Sequence, residues 1–407
     1  MKARIAEIWR APIQGQHVYL LAFSLYFVPA FLIDSTYTTL LSWSELRLIT
    51  YLAIPLLIFK IYVMDEWQVS GKLVITALFV ASIISWRTAQ YPELMVTMAF
   101  VLGARGVDFK QVARWYLYLS ATLLLVIAAT SLVNIVPNLV YVSNLRPNRY
   151  GLGMAYTTFV ASHLFFSALA YCYVRFGKLK WFDYVGIAVV ATIAMIYTDT
   201  RLDFYAMLLM IPVMWVTQRA AEGKRFSRVI ASFWWMAMPV LAVITITAAY
   251  FFDDSNHIYR KFNELLSGRL SLSRKAFRLY DPNLFGRFIH EKSFGGVKGK
   301  TFANQNQNGL SADYFYIDSS FVRMLLLWGL IIFVLFIVIM AFIAIVSTVQ
   351  KEYALSAIVM LVAINSMVEP HAVQLIYNVF ILASIPQLEW VLKNIRGKKY
   401  GNENIAE

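Results

Sequence analysis

Cysteine is almost missing: a single residue, Cys172, stands in an apolar run of a 407-residue chain. An intrachain disulfide and a thiolate metal site are excluded. Histidine is scarce as well. The five residues His17, His163, His257, His290 and His371 never fall at ligand spacing, so a zinc enzyme is not expected and neither metal nor cofactor is implied. Charge is thin: 14% of residues are charged, where a soluble domain carries about 25%, and 60% are apolar against about 45–50%. Single cores stop growing near ~250–300 residues, so no one core absorbs that excess. An ordinary water-soluble enzyme is not expected, and a disordered or fibrous chain is excluded. What the chain has in plenty is aromatic: 24 Tyr and 11 Trp suit segment ends at lipid–water interfaces. The net charge of +13 is explained by cytoplasmic Lys and Arg, and nucleic acid is not an expected partner.

A membrane span takes about 20 mainly apolar residues. Twelve segments qualify, centred on 18–33, 46–64, 73–86, 93–104, 112–136, 151–174, 181–198, 202–218, 230–252, 319–347, 353–369 and 374–392. The third and fourth are short enough for a hairpin or re-entrant pair. The expected fold is an all-α polytopic bundle of about 12 transmembrane helices. Spans one to nine fill residues 1–252, a large external loop 253–318, spans ten to twelve 319–392 and a cytoplasmic tail 393–407. With the N-terminus inside, inner segments hold 20 Lys and Arg and short outer ones hold 6, the asymmetry of the positive-inside rule. Both termini are then expected in the cytoplasm. Met1–Arg10 is basic but leads into a full span with no small-residue cleavage site, so no cleavable signal peptide is expected.

The long loop should begin with a helix over 258–280, since Phe262, Leu266, Leu270 and Phe277 share one face. Ser267-Gly268 is a candidate break, and Asp281-Pro282-Asn283 should end it. Such a basic amphipathic helix is suited to lying on anionic headgroups. Residues 292–312 read as a solvated stretch. Gly295–Thr301 imitates a phosphate-binding loop but is one residue short and lacks a strand–helix frame.

The outer span ends carry the candidate chemistry. Arg146 and Arg149 precede span six, Arg201 lies in the turn before span eight, Arg269 follows Ser-Gly in the long loop, and Arg323 lies just inside span ten. A cation at membrane depth costs ~2.5–3.5 kcal/mol, so each needs a reason to be there. One is local: Arg201 pairs with Asp199 or Asp203, and the Arg146–Arg149 pair snorkels to headgroups. The other is a shared grip on an anionic lipid headgroup, whose oxygens the guanidinium fork binds bidentately. The candidate acids and bases are Asp318 (alternatively the N-cap of span ten), Glu369 (alternatively an ion-pair partner) and His290. Asp34 and Glu45 are the only acids of the first outer loop, a poor basis for a metal mechanism.

In order and placement, several stretches resemble the bacterial O-antigen and exopolysaccharide polymerases (Wzy type) and their ligase relatives. They are Asn148–Gly153, Thr200-Arg201, Gly268–Phe277, Asp281–Gly286, Tyr316–Gly329 and Met367–Glu369. The resemblance covers roughly residues 140–370. Departures are Thr200 where Ser is common, Asp318-Ser319 where a His-Asn or Asp-Asn pair is common, and Arg287 where the family has a second glycine. The resemblance implies transfer of a glycan from undecaprenyl diphosphate to a lipid-linked oligosaccharide repeat unit. The reaction would take place on the outer face of a bacterial inner membrane, with a flippase and a chain-length regulator as partners. Arg149, Arg201 and Arg269 would stabilise the diphosphate leaving group, and Asp318 would be the base, ahead of His290 and Glu369. An O-antigen ligase shares the donor and differs in acceptor. From another class, a flippase of lipid-linked oligosaccharides fits twelve spans, but two-half symmetry is missing.

Overall fold

The computed structural model describes residues 14–143, 146–305 and 314–403, so the basic segment before Gln14 lies outside the described residues. The chain is mostly helical. Among the described residues, nine helices are long and apolar enough to cross a membrane: α1 (Gly15–Ile33), α2 (Trp43–Met64), α3 (Val69–Ala89), α5 (Phe109–Leu132), α6 (Thr157–Val174), α7 (Trp181–Thr198), α8 (Arg201–Ala221), α9 (Arg225–Tyr250) and α14 (Leu330–Val349). The third apolar segment is therefore a full-length helix. The fourth, α4 (Glu93–Leu102), and the eleventh, α15 (Ala354–Ser366), are shorter. The last resolves into a 3-10 turn at Val379–Ala383 followed by α16 (Ser384–Glu403).

A helix that is apolar around its whole circumference is kept from water either in a protein core or against lipid, and here the short helices take the core. In α4 every residue from Leu94 to Leu102 is buried, and in α15 only Met360 and Ile364 are not fully so. The long helices instead leave Val63, Leu73, Leu125, Ile196 and Val243 largely exposed, the apolar surface a bilayer covers. α15 packs on α8, α9 and α14, while α1 packs on α2 and α5. The one sheet among the described residues is a hairpin, β1 (Val140–Ser143) with β2 (Arg146–Tyr150), in which Tyr141 lies opposite Arg149.

Among the described residues the long insertion has three helices, α10 (His257–Leu265), α11 (Arg269–Leu279) and α12 (Gly296–Gln305). Ser267 and Gly268 both take positive φ and separate the first two. The expected apolar face divides with them: Leu270 and Phe277 of α11 are buried, whereas Ile258, Phe262 and Leu265 of α10 stay exposed. Gly296–Gln305 is helical, not the solvated coil its composition suggested. The P-loop mimic therefore presents no loop of free amides to a phosphate.

Candidate functional site

Two glycines set the frame. After α11, Asp281-Pro-Asn-Leu-Phe-Gly286 lays its backbone across a break in the tenth apolar segment, which runs as α13 (Ser320–Arg323), a π-turn (Met324–Trp328), Gly329 and α14. Leu330 N donates to Asn283 O at 2.8 Å and Arg287 N to Leu327 O at 3.0 Å, so amides freed by the break find partners. Gly286 and Gly329 have φ of +77° and +90°. A Cβ on Gly286 would stand 1.9 Å from Leu327 O, and one on Gly329 2.4 Å from Gly286 N and Leu284 O. Only glycine allows the two backbones this close. At the other end, Ser320 N donates to Glu369 O at 3.2 Å and Ala372 N to Ser320 Oγ at 3.1 Å. These bonds bring Asp318 beside Glu369. The helix begins with Ser319 as N-cap, without a side-chain cap bond, so capping is not what holds Asp318.

Two arginine–glutamate pairs flank Asp318. Arg269 Nη2 stands 2.7 Å from Glu369 Oε1, and its Nε donates to Val368 O. Arg323 Nη1 stands 2.7 Å from Glu291 Oε1. That oxygen also accepts from Ile317 N at 2.9 Å, and Glu291 Oε2 from the Tyr91 hydroxyl at 3.4 Å. The Arg323 guanidinium lies between the rings of Tyr316 and Tyr91, 5.0 and 5.5 Å from their centroids. Asp318 itself makes no hydrogen bond or ion pair among the described residues, and it is half-buried. Burial pushes its carboxyl above the ordinary range, Arg269 draws it back, and Glu291 opposes Arg269. Asp203, at the start of α8, is buried and accepts from Asn365 Nδ2 at 3.4 Å.

The other sequence candidates stand apart. Arg149 Nε donates to Thr198 O at 2.9 Å and the guanidinium lies 5.5 Å from the Tyr156 ring. Its Nη groups make no further hydrogen bond among the described residues. Arg201 is 55% exposed and 3.5 Å from Asp199, so its local partner is Asp199 rather than Asp203. Arg146 sits in β2, and its side chain lies outside the described residues. His290 is exposed, with the Phe288 ring as its neighbour. An aromatic wall runs between Arg149 and Asp318. Tyr141 packs on Tyr156, the Tyr141 hydroxyl donates to Phe294 O at 2.9 Å, and Phe294 stacks on Tyr314 at 4.5 Å. The Tyr314 hydroxyl is pushed up by burial and by the charge of Asp318.

Sequence reasoning missed Glu291, Tyr91, Tyr314 and a buried column of rings. His371 stacks on Tyr377 at 3.8 Å, Tyr377 on His163 at 4.0 Å, and His163 on Phe31 at 4.1 Å. One end approaches the pair, with His371 Nε2 3.9 Å from Glu369 Oε2. Burial pushes His371 down to about 3, so it is neutral. From the column's middle the Tyr377 hydroxyl donates to Asp34 Oδ2 at 2.7 Å, and burial pushes Asp34 up to about 7. Acids inside an apolar chain were the available signal; their partners were not.

The arrangement offers the unbonded Asp318 carboxylate, the Arg149 and Arg201 guanidiniums with nitrogens that no protein group takes, and the aromatic faces of Tyr156 and Tyr314. Among the described residues no group of three His, Cys, Asp or Glu is placed to hold a metal ion. A scan against family models finds no match, and searches of curated proteins and of solved structures find none.

Proposed function

We propose that the chain is a polysaccharide polymerase of a bacterial inner membrane. It transfers a growing glycan from undecaprenyl diphosphate to an incoming lipid-linked repeat unit on the outer face. In this reading all twelve apolar segments are membrane-embedded, both termini are cytoplasmic, and residues 253–318 face outward. The observation that carries it is Asp318, a half-buried carboxylate without a hydrogen bond beside a charge-neutral Arg269–Glu369 pair.

The chemistry follows from what each group has left to give. An acceptor hydroxyl attacks the anomeric carbon as its proton passes to Asp318, and the bond from that carbon to the diphosphate oxygen breaks with its electron pair. Arg149 and Arg201 hold the departing diphosphate, since neither guanidinium is saturated by protein partners. Arg269, tied to Glu369 and Val368 O, moderates the basicity of Asp318 through its charge. Arg323 belongs to the frame. His290, exposed and in contact only with the Phe288 ring among the described residues, ranks behind Asp318 as base. Tyr156 and Tyr314 offer faces for sugar rings. A ligase would share the donor half of this site and differ in the acceptor it admits.

The test is reconstitution in liposomes with a purified lipid diphosphate-linked repeat. The expected result is a ladder of products, and Arg149→Ala should lower turnover by about 10²-fold while single repeat units accumulate on the outer leaflet. Repeat units carried from the inner to the outer leaflet without growth would instead identify a flippase.

A further inference from the structure

α7 and α8 are joined at Asp199-Thr200, and their other ends lie at Trp181 and Ala221. A 21-residue helix is about 30 Å long, so that far end lies a membrane's thickness from Asp203. There a cavity of about 430 Å³ opens, lined by Trp181, Tyr184, Trp215, Arg219, Glu222 and Lys224. Gln218 closes its floor by exchanging two 3.1 Å hydrogen bonds with the Leu179 backbone. Arg219 lies over the Trp215 ring at 4.8 Å. The Tyr184 hydroxyl is buried with no hydrogen-bond partner among the described residues.

Charge around the cavity has one prevailing sign. Exposed Lys178, Lys180, Arg225 and Arg228 flank its lining residues along the chain. Of the nearby acids, Asp183 is spent on the Tyr171 hydroxyl, Lys180 N and Arg175, which leaves Glu222 to oppose six cations. From the rim an exposed apolar stripe descends α7 at four-residue spacing: Trp181, Val185, Val189 and Ile193. Tryptophan at the rim, cations at the mouth and an apolar stripe below are the three zones of a phospholipid in order.

We propose that this cavity binds the headgroup of an anionic phospholipid. Its phosphate lies against Arg219 and Lys224, its polar head reaches the Tyr184 hydroxyl, and an acyl chain follows the stripe on α7. Basic pockets between membrane helices take anionic headgroups in this way, and the site is independent of the polymerase reading.

The test is native mass spectrometry of the full chain in detergent, with phosphatidylglycerol and phosphatidylcholine offered at equal concentration. Phosphatidylglycerol should be retained about tenfold better, and Arg219→Gln with Lys224→Gln should abolish the preference. Arg225→Gln with Arg228→Gln, the same loss of charge outside the cavity, should keep it. In the intact protein, brominated phosphatidylglycerol should quench tryptophan fluorescence more than brominated phosphatidylcholine, and Trp181→Phe with Trp215→Phe should remove the excess. Equal retention of the two lipids, an equal loss in both double variants, or no excess quenching would overturn the proposal. Glycerophosphoglycerol without acyl chains binding as tightly as the lipid would overturn it too, since the ligand would then be a soluble phosphate.

Discussion

Arg269 and Arg323 make the same contact, an Nη nitrogen 2.7 Å from a glutamate Oε1, in two different settings. The Arg323–Glu291 pair is closed. Both side chains are buried, the glutamate also accepts from Ile317 N and Tyr91, and two tyrosine rings cover the guanidinium. The Arg269–Glu369 pair is open on one side, where Asp318 offers a carboxylate that no protein group has claimed. Buried ion pairs contribute little net stability but are costly to break. The first pair therefore reads as frame, and the second as a holder for a reactive neighbour.

The sharpest way to separate them is to remove one partner of the closed pair. Arg323→Ala strands Glu291 in a buried site and should cost about 3–5 kcal/mol of stability, measured by unfolding in detergent. Arg323→Met with Glu291→Leu should recover most of it, because two apolar groups leave no charge behind. If the single variant unfolds like wild type, the pair is not part of the frame. Next comes Gly329→Ala, which forces a Cβ to 2.4 Å from two backbone atoms at φ +90°. Left-handed backbone and overpacking together should cost about 2–4 kcal/mol, so the same assay should show a smaller loss than Arg323→Ala. The mildest change is Asp34→Asn. Its raised carboxyl binds a proton in the folded state at a pH where the unfolded chain has released it. Stability from this group is thus present below the ordinary aspartate range and lost as pH rises toward about 7. The variant should show a flatter stability profile over that window, and an unchanged slope would mean Asp34 does not carry it.

The all-α bundle was legible in the sequence because apolar length is a local property: nine of the expected segments are helices of membrane-spanning length among the described residues, and the break at Ser267-Gly268 follows from glycine and serine between two apolar faces. Partner choice was not legible. Nothing near Glu291 signals that it meets Arg323 32 residues on, or that Asp281–Gly286 crosses the chain at Gly329. Both depend on a fold-level approach that two glycines permit. The outer arginines stood out as a group by their cost at membrane depth, but only contacts distinguish Arg149, whose one hydrogen bond is to a backbone carbonyl, from Arg323, which is paired with a buried glutamate and faced by two tyrosine rings. Composition likewise failed at 296–305, where a Gly- and Lys-rich run forms a helix.

The most direct measurement pairs turnover with unfolding for Asp318→Asn in liposomes carrying the lipid diphosphate-linked repeat. Because Asp318 bonds to nothing, stability should stay within about 0.5 kcal/mol of wild type, while turnover falls about 10²–10⁴-fold. Wild-type turnover should climb with pH as the carboxyl loses its proton, at a midpoint above the ordinary ~3.9. A variant that extends the glycan at the wild-type rate, or one that unfolds as Arg323→Ala does, would contradict the assignment of Asp318 as the base.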